Sequence, residues 1–368
     1  MDHRFVGPRY TVGVEEELMI LDASTHDLVS AINRVLDSEQ EPPSGKIQPE
    51  LLESVLEIAT DPCPDVPTVA RELSALRTHV RERAREHGLE IAASGTHPFA
   101  RWEDQRVVRD DRYRGLVRQL GFVARQELVF GMHVHVGMAG PEEAIAVANG
   151  VREHVPLLIA LAANSPLWRG ELTGLMSSRV PIFRAFPRVG LPPRFDGWED
   201  YAARVQRMVD AGMIDDYTYL WYDVRPHPGL GTIEVRAMDS QTRVEHTVAL
   251  TALIVSLVKL IAERHQQGAS SPEQPWELLD ENRWLAARHG LDAELLPAVG
   301  ETRRPARELT VELLSALAPH ARELGCEEQL AGIEDLLGTG NGAARQRMVF
   351  ESNGDLRELM AEIVAMSG

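Results

Sequence analysis

Three separated stretches of this chain alternate apolar and chemically active residues with a period of two, and this pattern restricts the fold more than any other feature. Successive side chains of a strand point to opposite faces. In Leu128–Gly137, Phe130, Met132, Val134 and Val136 take one face, and Gly131, His133, His135 and Gly137 take the other. In Tyr10–Leu21, Glu15 and Glu17 point together. In Thr232–Met238, Ile233, Val235 and Ala237 oppose Glu234 and Arg236. A strand with a wholly apolar face must bury it. Several such strands describe a sheet backed by helices on one side and lining a charged cavity on the other. Glu16 is the misfit, because it shares its face with Val12, Val14, Leu18 and Ile20.

Each motif has a plain reading beside a chemical one. Glu15 and Glu17 fit a solvated edge strand, or a site where a divalent cation offsets two neighbouring carboxylates. Glu53 and Glu57 are four apart, a spacing that returns to one face in either a strand or a helix. They fit an exposed acidic helix face or further metal ligands. His133 and His135 fit locally hydrogen-bonded core histidines, or a metal or phosphate-bearing ligand for which the flanking glycines clear space. Glu234 and Arg236 fit a salt bridge or a catalytic pair. Read jointly, oxygen ligands for Mg²⁺ or Mn²⁺ with arginines nearby suit a triphosphate and its metals, and so point to phosphoryl transfer.

Composition narrows the function classes. The 368 residues carry 56 acids against 38 bases, a net charge of −18, which disfavours nucleic acid and anionic membrane as partners. Of the bases only Lys46 and Lys259 are lysine, and no G-x-x-x-x-G-K-[ST] motif occurs, so phosphates must be met by arginine and metal instead of a P-loop. Cys63 and Cys326 are far apart and read as reduced thiols of a cytoplasmic protein. The most apolar run, Val248–Ala262, contains Lys259 and falls short of the ~20 residues of a membrane span, so a buried core helix is expected.

Along the chain, helices are predicted over Pro67–His87 and Pro141–Ala163, and strands over Leu89–Ser94 and Tyr219–Arg225. Ser177–Asp196 is a Pro- and Arg-rich segment expected to form an active-site loop. Everything after Gln241 reads as helical, interrupted by Gly268–Pro275 and by Gly338–Gly342. Strands early and helices late predict an α+β fold, with a sheet-bearing core over 10–243 and a helical part over 244–368 of one catalytic domain.

The motifs G-V-E-E-E, E-x-x-x-E-I-x-T, S-G-T-H-P-F, G-M-H-V-H-V-G, A-N-S-P and T-I-E-V-R-x-M-D, in this order, resemble the glutamate-cysteine ligase type 2 family, also called carboxylate-amine ligases. The resemblance runs from about residue 10 to the C-terminus. It implies a glutamine-synthetase-like fold, with a curved antiparallel sheet forming a half-open barrel and helices on its outer face. It also implies ATP-dependent joining of the γ-carboxylate of glutamate to cysteine or another amine through an acyl phosphate, and a homodimer. By that likeness Glu15, Glu17, Glu53, Glu57 and Glu234 hold Mg²⁺, while His133, His135 and Arg236 meet the nucleotide. Arg236 is also catalytic, and Arg179 meets phosphate or a substrate carboxylate. Two rivals remain on the residues alone: a metal-dependent amidohydrolase using H-x-H, and a binding protein for a nucleotide or amino acid that does not catalyse.

Overall fold

The computed structural model describes residues 1–36, 41–269 and 271–368. Seven strands, β1 (Val12–Asp22), β2 (Lys46–Pro49), β3 (Val55–Ala59), β4 (Leu89–Ala92), β5 (Gly131–Gly137), β6 (Val224–His227) and β7 (Thr232–Asp239), form one sheet. Its order is β2-β3-β1-β5-β7-β6, with β4 also pairing β1, and every pairing is antiparallel. The path ends at β2 and β6, so the sheet is not a closed barrel.

β1 is the organising strand because its 11 residues serve three neighbours. Val12–Glu16 pairs with β5, Glu15–Met19 with β3, and Met19–Asp22 with β4. Its alternation is realised as expected: Val12, Val14, Leu18 and Ile20 join Met132, Val134, Val136, Ile233 and Val235 in one continuous apolar core. That core is completed by Leu73, Leu76 and Val80 of the helix Val66–Glu86 and by Leu250–Val258 of the helix Val244–Gln266.

The misfit Glu16 is resolved here. It is fully buried and takes a two-pronged ion pair from Arg77, whose Nε and Nη2 lie 2.8 Å from its two oxygens. Arg77 also donates to the carbonyls of Gln241 and Thr242 at 2.7 and 2.8 Å. A buried charge of this kind is tolerated only when paired and hydrogen-bonded throughout. The pair ties β1 to the helix behind it and to the segment that opens the long core helix.

That long helix covers 23 residues, more than its most apolar run. Its length and hydropathy would let it cross a bilayer, yet 78% of its most apolar window is buried inside the protein. The helix expected over Pro141–Ala163 is instead two, Pro141–Arg152 and Val155–Ala162, bent by 59°. Pro156 has no N–H to give the Arg152 carbonyl, so the helical ladder breaks there. The strand expected over Tyr219–Arg225 is found at Val224–His227, after a tight turn at Tyr217–Tyr219. The shift places Arg225 directly opposite Glu234.

Candidate active site

Antiparallel pairing brings the active residues of distant segments face to face. Glu17 lies opposite Glu57, Glu15 opposite His133, and His135 opposite Glu234. Side chains paired this way have Cβ atoms ~5 Å apart. Between Met132 and Val134 the register with β7 shifts by one residue, so Arg236 sits in a bulge opposite His133. Its Nη1 reaches His133 Nδ1 at 3.4 Å and also pairs with Glu234.

These residues line one cavity of about 290 Å³ together with Glu50, Glu127, Arg112, Arg179, Arg225 and His227, and with an aromatic wall of Phe183, Phe186, Tyr219 and Trp221. Phe186 meets Trp221 at 5.5 Å and Trp221 meets Tyr219 at 5.8 Å. The Ser177–Asp196 segment thus contributes to the cavity, although its start is a short helix, Arg179–Phe183.

Two groups of oxygen and nitrogen donors emerge, each with its atoms within 4.8 Å of one another: Glu15, His133 and Glu234, and separately Glu17, Glu50 and Glu57. Their electrostatics differ in sign. Burial alone would raise Glu15, but the charge of His135 and hydrogen bonds from both histidines hold it far below the usual carboxylate range. Burial likewise works against Glu234, and Arg225 and Arg236 overcome it. His133 itself is pushed down to about 4 by burial and by Arg236, so it is a neutral imidazole with Nδ1 3.0 Å from Glu15. At the other end, among the described residues, no basic side chain is in ion-pair contact with the acids, and the more distant charges of Arg179 and Arg236 offset them only in part. Burial and the charge of Glu50 push Glu17 up to about 7, while burial with the charges of Glu15, Glu50 and Glu17 raises Glu57 well above its ordinary value. Three carboxylates crowded in this way are the donor set a hard divalent cation takes.

Of the residues singled out from sequence, Glu15, Glu17, Glu57, Glu234, His133, His135, Arg179 and Arg236 are gathered at the cavity, and Glu53 is not. Glu53 lies in the turn before β3, so the spacing of four carries no common face, and its carboxylate accepts from Arg106 Nε at 2.7 Å. Glu50 takes the third place beside Glu17 and Glu57. Its odd spacing from Glu57 hid it, because only that turn brings it round. Arg225 and His227 also escaped the alternation argument, and Glu127 extends the cavity-facing row of that argument beyond the motif. The flanking glycines have a different purpose from the one expected. A Cβ on Gly131 would lie 2.3 Å from Arg179 Nη2, and one on Gly137 would lie 2.4 Å from Thr11 Oγ1. They make room for the protein's own arginine and N-terminal segment.

A buried polar knot holds Arg179 in place. Asp239 accepts from Asn164 N at 2.8 Å, Ser165 Oγ at 2.6 Å and Ser177 Oγ at 2.8 Å, and Ser165 Oγ accepts from Arg179 N at 3.2 Å. The A-N-S-P motif therefore positions the site without lining it. His97 of S-G-T-H-P-F is structural too. Its Nδ1 accepts from Ala100 N at 3.0 Å and its Nε2 donates to the His26 carbonyl at 3.0 Å, the neutral form that burial favours.

Comparison with known proteins identifies the fold and the family. The solved glutamate-cysteine ligase of Francisella tularensis, in complex with AMP, superposes with a TM-score of 0.70 at 13% identity over 100% of this chain and 90% of its own. A bifunctional glutathione synthetase from Pasteurella multocida gives 0.71 at 15% identity over 98% of this chain and 52% of that one. Such distant likeness establishes the fold alone, which this chain shares with those two proteins. Sequence goes further. Two Rubrobacter xylanophilus proteins, named "Putative glutamate-cysteine ligase 2-1" and "2-3", are 45% and 43% identical, covering 96% and 98% of this chain and 94% and 98% of their own lengths. The sequence pattern of glutamate-cysteine ligase family 2 matches residues 11–362, and with its relatives aligned nearly end to end the chain belongs to that family.

Proposed function

We propose that the protein is an ATP-dependent carboxylate-amine ligase that activates the γ-carboxylate of glutamate as an acyl phosphate, which an amine then attacks. The observation carrying this reading is the pair of separate donor trios on one sheet face, with arginines between and beside them in a single cavity. A carboxylate does not exchange its oxygen for an amine directly, because oxide is a poor leaving group. Transfer of the ATP γ-phosphoryl to that oxygen makes phosphate the leaving group instead.

The residues present fit Mg²⁺. Glu17, Glu50 and Glu57 offer oxygen alone, and Glu15, His133 and Glu234 offer two carboxylates and a neutral imidazole, so these six would hold the ions. Bound there, Mg²⁺ supplies neutralisation of phosphate oxygens and Lewis acidity. Arg236 adds fixed positive charge: its Nε is buried with no partner among the described residues, leaving a donor for phosphoryl oxygens in the transition state. Arg225 and Arg236 hold Glu234 ionised, and Glu15 in turn fixes His133 through Nδ1. His135 stands between Glu15 and Glu234, its Nε2 3.3 and 3.8 Å from them. The aromatic wall gives a nucleotide base or substrate stem an apolar surface. The Francisella protein was solved with AMP, which supports nucleotide use here.

The test is phosphate release from ATP in the presence of Mg²⁺, glutamate and a panel of amines and amino acids, with products identified by mass. Glutamate-dependent release and a γ-glutamyl product are expected. No ATP consumption with any acceptor in the panel overturns the reading.

A further inference from the structure

Six carboxylates line the cavity, and five are accounted for by the two donor trios. Glu127 is the sixth. No hydrogen bond or ion pair within the protein reaches its carboxylate among the described residues, and it belongs to neither trio. It continues the cavity-facing row that runs through Val129, His133 and His135, at the end occupied by Glu17 and Glu50. A half-buried carboxylate without a donor is costly to keep in a fold.

A second group at that end is also incompletely used. Arg179 is 3% exposed, its Nη2 donates to the Arg236 carbonyl at 3.2 Å, and its Nε has no partner among the described residues. Glu127 and Arg179 feel each other's charge, yet no ion pair joins them. Burial and the charges of Glu17 and Glu50 work against ionising Glu127, so its charge calls for a cationic partner, and an acid and an arginine that line one cavity without pairing match a ligand carrying both charges itself.

We propose that Glu127 receives the ammonium group of an α-amino acid substrate, with the spare donors of Arg179 available to the carboxylate of the same molecule. This assignment rests on the ligase reading and adds to it that the site recognises a zwitterion. The ammonium has two sources, the α-amino group of glutamate or that of the acceptor, and the test separates them.

In the full-length protein with Mg²⁺ and ATP, kcat/KM is measured for L-glutamate and for glutarate, which lacks the ammonium. KM for the acceptor is measured at saturating glutamate. The same is done for Glu127→Gln and Glu127→Asp. A charge-assisted hydrogen bond predicts that Glu127→Gln loses about ten- to a hundredfold on the affected substrate, with Glu127→Asp recovering part of it. Collapse of the glutamate-over-glutarate preference assigns Glu127 to glutamate. A raised acceptor KM with that preference intact assigns it to the acceptor. Preference and acceptor KM both within about twofold of wild type overturn the proposal, as does a change confined to the Mg²⁺ requirement, which would make Glu127 a metal ligand. Wild-type protein that consumes no ATP indicts the ligase reading instead. Calorimetric titration of wild type and Glu127→Gln with L-glutamate and glutarate then still decides whether Glu127 reads the ammonium of glutamate.

Discussion

The two ends of the cavity use the same residue type to opposite effect. At one end Glu15 and Glu234 are surrounded by His133, His135, Arg225 and Arg236, and their charge is answered by the protein itself. At the other, Glu17, Glu50 and Glu57 face one another with no basic side chain in ion-pair contact among the described residues. The first end is built to stay ionised and ordered without help. The second is left with like charges crowded together, the donor set that under the proposed function a cation would complete.

The largest effect expected from breaking this contrast is catalytic. Glu57→Gln removes a charge from the uncompensated end and should lower kcat/KM by about a thousandfold while raising the Mg²⁺ concentration needed. Near-normal turnover would remove Glu57 from the metal site. At the compensated end the leading effect is on stability. Glu234→Ala leaves Arg225 and Arg236 buried without their carboxylate and should cost about 3 kcal/mol in denaturant unfolding. An unchanged unfolding midpoint would show that the pair is not holding the sheet.

The pH dependence should separate the ends by sign. Glu17 titrates near 7 instead of 4.5, so its contribution to metal-free stability is present at low pH and lost as pH rises through about 7. Glu15 and Glu234 are depressed, so theirs is present above 4.5 and lost only on acidification. Thermal melts from pH 5 to 8 should show metal-free protein losing about 2–4 °C relative to Mg²⁺-loaded protein as pH rises. Parallel curves with and without metal contradict the assignment. A smaller change is expected when repulsion is relieved: Glu57→Gln should stabilise the metal-free protein by about 1 kcal/mol even as it loses activity. The smallest belongs to Glu53. Its partner Arg106 is largely exposed, so Glu53→Gln should alter stability by less than about 1 kcal/mol and leave turnover intact. A large loss of activity would return Glu53 to the site.

Much of this was readable in one dimension, and the residues show why. Where the sequence of a strand alternates, as in β1, β5 and β7, facing is a local property, so Glu15, Glu17, His133, His135, Glu234 and Arg236 are assigned to a common side by period alone; the bulge at Arg236 interrupts the pairing of β7 with β5, yet its side chain still reaches His133 and Glu234. The same logic flags Glu16 as anomalous but cannot find Arg77, which is 61 residues away and reaches it through helix packing. Glu53 and Glu50 mark the limit from the other direction. A turn immediately before β3 resets the facing, excluding the residue with the right spacing and admitting the one with the wrong spacing.

Taken by itself, then, the order of residues determined which faces are apolar, which carry acid and base, and that those faces must close over a common cavity, because hydrophobic periodicity acts over a few residues. The tertiary structure alone decided which carboxylates are paired with the protein's own bases and which face one another without an ion pair among the described residues. Ion pairing depends on distances of a few ångströms between segments far apart in the chain, and those are set by strand register, a bulge at Arg236 and the turn at Glu53.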